Sequence, residues 1–190
     1  MRPFLALPVA LSLALAACGG DIGYRPPAES ASLPPDAVQG AGDPVNAALT
    51  RVSVAFSEPA RLRGQPANAA RAIANMEFLA ADLPNDGRYT GFMPTLYPQL
   101  AAARTEWRAA LGIAPQAPAQ VVINGLFAAA RAQESGLDPA AALAPAVFTR
   151  GGAATVQTLA NLPPLPQTNV AAVNALELLR RNEGIGSNRR

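Results

Sequence analysis

The chain has no histidine, no lysine and a single cysteine, and only 5% of its 190 residues are aromatic. Each absence removes a class of chemistry. Without histidine there is no Ser-His-Asp or Cys-His nucleophile, no imidazole general base and no imidazole metal ligand. Zinc would have to be held by carboxylates alone, against its preference for nitrogen and sulfur. Without lysine there is no Schiff base, and no P-loop, whose lysine reaches the phosphates. One cysteine cannot make a disulfide within the chain, so the fold must stand on packing. Few aromatics imply a core of alanine and leucine, whose small side chains oblige the helices to approach closely. No run alternates with period two for long enough to make a convincing strand. Residues 52–56 come nearest, and the Asp-Pro pair ahead of them favours helix.

What is present begins with an address. Arg2 precedes an uncharged, Leu- and Ala-rich run over residues 4–17. That run is too short to cross a bilayer core, which needs roughly 20 residues, and Pro8 interrupts it. Its charge, length and small-residue end are those of a secretory signal. Leu15, Ala16, Ala17 and Cys18 then follow in order. These four residues resemble the lipobox of bacterial lipoproteins, an aliphatic residue and two small residues before a cysteine. The resemblance implies that the Cys18 sulfur is alkylated with diacylglycerol, that the signal is cut just before it, and that the new α-amine is acylated. Two or three acyl chains anchor stably, since each buried CH₂ contributes ~0.8 kcal/mol. Gly19 stands where an Asp would imply inner-membrane retention, so delivery to the outer membrane, facing the periplasm, is expected. The other reading of the same residues is an ordinary signal with an incidental thiol. The resemblance covers residues 1–18 and is silent on activity.

Arg2 is the only charged residue ahead of Cys18, so the processed chain carries fourteen basic and thirteen acidic residues. A net charge of +1 is no footprint for nucleic acid. Residues 19–42 hold Pro26, Pro27, Pro34 and Pro35, small polar residues and no helical period, and read as a flexible tether. Such a coil spans roughly 25–30 Å.

Seven segments follow, punctuated by the 19 prolines and 15 glycines. Asp43-Pro44 reads as N-cap and first helical residue, with Val45, Ala48, Leu49, Val52 and Phe56 on one face. Glu58-Pro59 ends that helix. Pro66 opens a second, with Ala69, Ile73, Met76, Ala80 and Leu83 as its stripe. A third caps at Thr95, buries Leu96, Leu100, Ala103, Trp107 and Leu111, and stops at Gly112. A fourth runs from Pro118 through Val121, Val122, Leu126, Phe127 and Ala130 to Gly136. Asp138-Pro139 predicts a short or kinked helix ending near Phe148, and a short helix is expected over residues 153–162. Thr168 or Asn169 caps the last, with Val170, Val173, Leu176 and Leu179 inward and Gly184 after it.

The most distinctive loop is residues 85–94, long for a bundle connection and rich in a turn pair, charge and aromatics. Arg88, Tyr89, Phe92 and Tyr97 are its candidate contacts for a ligand or partner. The ordinary explanation is that the aromatics cover one end of the bundle. Asn124-Gly125 lies in an apolar run, where Gly125 suits a close helix approach and Asn124 a local hydrogen bond; Asn174 reads the same way. Glu77 and Asp82 form a weak candidate for acid–base work, set against a solvated face. Glu106 between Arg104 and Arg108 reads as surface charge, and Arg180, Arg181, Arg189 and Arg190 as a solvated terminus.

The sequence thus predicts an all-α chain, a single compact multi-helix bundle of about six or seven helices, some short. The expected divisions are a signal peptide over 1–17, the lipidated Cys18 and linker over 18–42, the helical domain over 43–182 and a disordered tail over 183–190. The functional expectation is a non-catalytic structural or protein-interaction role in the cell envelope. The alternative is a small-molecule or lipid-binding helical lipoprotein. Partners would be the membrane, through the anchor on Cys18, and an envelope protein. No cofactor, metal or nucleic acid is expected.

Overall fold

The structure is a computed structural model that describes residues 29–40, 42–89 and 95–187, with side chains as far as Arg181. Its helices are α1 (Pro35–Val38), α2 (Pro44–Ser57), α3 (Pro66–Asp82), α4 (Leu96–Leu111), α5 (Ala119–Glu134), α6 (Gly152–Ala160) and α7 (Pro166–Ser187). Short 3-10 turns cover Pro59–Leu62, Leu83–Asn85 and Pro139–Ala142. The one β-type pairing among the described residues is an isolated antiparallel bridge between Ile113 and Phe148. The chain is an all-α bundle.

Local chemistry sets the ends. The Asp43 side chain accepts from the Asn46 N–H at 3.0 Å, and Pro44 follows as first helical residue, with no N–H to lose. Proline also opens α3 and α7. At the end of α4, Gly112 takes φ +66, and the Ile113 N–H reaches back to the Arg108 carbonyl at 2.8 Å. The Arg150 guanidinium covers the Ala110 carbonyl there at 2.9 Å, satisfying an acceptor that the helix leaves free.

Helix α3 is the hub, packing against α2, α4, α5 and α6. Its predicted stripe is buried, and so is every residue from Ala72 to Ala81. A helix enclosed all round needs small residues for its neighbours to come close, and α3 supplies alanine on every side. α7 packs across α2 and α4. Into this alanine framework fit the large, fully buried side chains Trp107, Phe78, Phe127 and Phe148.

Several expectations need correction. Residues 29–40 are not a free tether. Leu33 and Ala37 are buried in the core, and the Ser32 N–H and carbonyl bond to Gln120 at 2.8 and 3.1 Å. Two apolar side chains among the prolines help to dock this segment, so the packed domain includes residues 29–40. The Asp138-Pro139 start makes only one 3-10 turn, whose N–H at Ala140 is capped by Asp138 at 2.9 Å. Pro145 prevents continuation, and Val147 and Phe148 instead turn back onto α4 and α5.

α7 starts at Pro166, ahead of the expected cap, and runs to Ser187, through the expected stop at Gly184 and into the expected tail. Its inward face is Ala171, Ala172, Ala175 and Leu178, while Val170 and Val173 are 50% and 61% exposed. Close packing on two helices selects the alanine face over the larger valines. Val121 on α5 is likewise exposed.

Candidate functional site

The distinctive loop gathers three of its four candidates; Phe92 lies outside the described residues. The Arg88 guanidinium binds Asp86 at 2.6–3.1 Å and also pairs with Asp43, the cap of α2. It lies 5.3 Å from the centre of the Tyr89 ring. Tyr89 is buried, and its carbonyl accepts from the Tyr97 hydroxyl at 2.7 Å. Arg88 holds the Asp86 carboxyl below its usual range. Burial raises Asp43, but Arg88 and the Asn46 N–H outweigh it and bring that carboxyl down as well. These are the bonds of a corner that ties the loop to the start of α2.

The strongest electrostatic cluster is one that sequence reasoning placed on the surface. Glu77 is 0% exposed. Its Oε1 accepts from Arg104 Nε and Nη2 at 2.9 and 2.7 Å and from Arg108 Nη2; its Oε2 accepts from Trp107 Nε1 at 2.8 Å and Arg108 Nε at 3.3 Å. Five donors fill the roughly four lone-pair sites of a carboxylate, leaving none to take a proton from a substrate. Arg108 also donates to the Pro115 and Ala117 carbonyls, both at 3.0 Å, and so holds the α4–α5 connection.

Arg104 reaches on to Glu29, which accepts from the Ala119 N–H at 3.2 Å. Burial raises the Glu29 carboxyl, but Arg104 and that N–H hold it below its usual value. Asp82 has other surroundings: burial and the nearby Asp86 charge raise it, against a hydrogen bond from the Ala31 backbone. Glu77 and Asp82 therefore do not form an acid–base pair.

Glu106 is half-buried and has a specific partner where free surface charge was expected. Its carboxylate accepts from the Gln167 N–H at 3.1 Å, the Thr168 N–H at 2.8 Å and the Thr168 hydroxyl at 2.7 Å. It caps α7 from another helix, where Thr168 was expected to cap its own. The signal was present: Arg104, Trp107 and Arg108 fall at helical spacing beside Leu100, Ala103 and Leu111. Arginines bordering a core face are compatible with a buried acid, though their stems can equally cover the face with the head in water. No local pattern named Glu77 as that acid.

Asn124 accepts locally from Gln120 at 3.0 Å, and Asn174 donates to Gln99 across α4 and α7. Gly125 admits a close neighbour, which is the Phe148 ring and not a helix. A Cβ there would lie 3.0 Å from that ring.

A concavity remains. An open groove of about 450 Å³ lies at the end of the bundle where α2 finishes and α7 begins. One wall is the 3-10 turn Pro59–Leu62 with Arg63 just after it; the other is the Leu162-Pro163-Pro164-Leu165-Pro166 connector, with Phe56 and Asn169 completing it. The Gly64 N–H donates to the Ala160 carbonyl at 2.8 Å and pins the two walls together. Arg63 is the only charged lining residue and has no partner among the described residues. The sequence instead points to the 85–94 loop for ligand or partner contacts. The walls come from segments about a hundred residues apart, so no local pattern marked them.

Among the described residues no group of three or more His, Cys, Asp or Glu side chains could hold a metal ion, and no helix is long and apolar enough to cross a membrane. Compared with known protein families, curated proteins and solved structures, the chain finds no match.

Proposed function

We propose that this is a cell-envelope lipoprotein, held to the membrane through acylated Cys18, whose helical domain has a non-catalytic structural or protein-interaction role. The observation that carries the reading is how the domain uses its charges. Glu77, Arg104 and Arg108 join helices, Glu106 caps one, and Arg88 ties a loop to another. Chemistry needs such groups facing a substrate; here they face one another within an alanine-packed bundle. The lipobox-like Leu15-Ala16-Ala17-Cys18 supports the anchor, and Gly19 favours the outer membrane. A second reading, a small-molecule or lipid-binding domain, is favoured by the groove, whose volume falls within the roughly 300–1,000 Å³ of ligand sites.

The anchor is tested by feeding cells labelled palmitate. Label should enter the wild-type protein and not Cys18→Ala, and the variant should be unprocessed or leave the membrane fraction. Normal labelling of the variant would end the lipoprotein reading. Pull-down of the anchored protein from envelope extracts then reads the interaction role; a protein recovered alone under cross-linking would count against it.

A further inference from the structure

We propose that the groove between the 3-10 turn and the proline connector binds a long-chain carboxylate, with the alkyl chain along the apolar floor and the carboxylate at Arg63. The inference deepens the second reading above and rests on it. Two observations carry it.

The walls are rich in Pro59, Pro163, Pro164 and Pro166, none of which has an N–H to offer. An extended peptide laid here would leave its own carbonyls unpaired against an apolar surface, a cost an alkyl chain does not incur. The floor, with Phe56, Leu62 and Leu165, suits such a chain.

The second observation is charge. The neighbouring Arg61 is paired with Glu58, while Arg63 at the rim has no partner among the described residues. A single free guanidinium beside an apolar groove is complementary to an amphiphile with one anionic end, and a planar carboxylate matches its fork.

Asn169 also lines the groove, but its buried Oδ1 is an acceptor and offers a carboxylate nothing, so recognition rests on Arg63. The N–H groups at the start of α7 are not available for this purpose, since Glu106 already binds those of Gln167 and Thr168.

The test uses the full-length anchored protein in phosphatidylcholine vesicles and a diazirine-bearing palmitate analogue, with adducts located by mass spectrometry. Cross-links should fall within residues 56–63 and 162–169, saturate, and be displaced by palmitate but not by its methyl ester. Arg63→Gln removes an exposed, unpaired charge and should lower apparent affinity about two- to fivefold, the range for an exposed ion pair. Ala60→Trp places an indole on an exposed lining position and should abolish labelling with the helical circular dichroism unchanged. Equal affinity in Arg63→Gln, or equal displacement by the ester, would overturn carboxylate recognition. Unsaturable adducts scattered over the surface would overturn the site. Displacement by an acidic apolar peptide and not by palmitate would assign the groove to a peptide and overturn the acyl class. Failure in any of these ways, with Cys18 still acylated and an envelope partner still recovered, leaves the interaction reading standing.

Discussion

Trp107 is where packing and electrostatics meet. It is fully buried, as its spacing from Leu100, Ala103 and Leu111 predicts, and its Nε1–H donates to Glu77. Two truncations separate the roles. Trp107→Ala should cost ~3–5 kcal/mol, the usual range for a large aromatic removed from a core, and no alanine neighbour can fill the space. Trp107→Phe keeps most of the ring but takes a donor from a buried carboxylate, and should cost about 1–3 kcal/mol. Urea unfolding reads both, and the wild-type indole should emit blue-shifted and resist a soluble quencher. Red-shifted, readily quenched emission with an unchanged midpoint in Trp107→Ala would refute the core position. Around it, Glu77 is weak evidence for net stability, because burying three charged groups is costly before their attraction offsets it. Its clearer role is to fix α3 against α4.

Among the elements, the segment carrying α1 departs furthest from expectation. Asp36 bonds to Arg131 at 3.1 and 3.2 Å and pairs with Arg71, which also holds Glu134 at 2.7 Å. With Glu29 and Ser32, these contacts lay residues 29–40 along α5. A chain beginning at Asp43 should therefore lose about 2–5 kcal/mol against one beginning at Glu29, from Leu33 burial and the lost polar bonds. Thermal melts of the two chains compare them. Equal melting temperatures would return this segment to the tether. Nothing in its own sequence marks it as docked. The partners lie on helices 35–95 residues away, and the prolines that make it look like a linker simply keep it extended.

For the whole molecule, acid is the informative variable. Glu29, Asp36, Asp43, Asp86 and Glu134 are all held below the usual carboxylate range, burial notwithstanding, by arginines and backbone N–H groups. As pH falls through about 4, the unfolded chain takes up protons first, so stability falls with it. Asp82, raised by burial, works in the opposite sense but is one group. With no histidine to titrate, the melting temperature should be nearly flat between about pH 5 and 8. It should then drop below about pH 4.5, with hydrogen exchange rising first over residues 29–40, where two of the five carboxyls act. A melting temperature that rises between pH 5 and pH 3 would contradict this assignment of the ion pairs.

By itself, the sequence determined the all-α class, most helix boundaries and the burial of Trp107 and Phe127, though not of Phe78 or Phe148. Proline, aspartate and glycine act on neighbouring residues, so Asp43-Pro44, Glu58-Pro59 and Gly112 do the same work in a peptide as in the fold. The lipobox resemblance is equally local. Tertiary structure decided the inward face of α7, where two close neighbours preferred Ala171 and Ala175 to Val170 and Val173. It decided that Glu77 is buried and that Glu106 caps a distant helix, because a charge is settled by what surrounds it in space. It also brought Arg63 beside Pro163-Pro164 and so made the groove, a concavity that only forms once α2, α6 and α7 have packed.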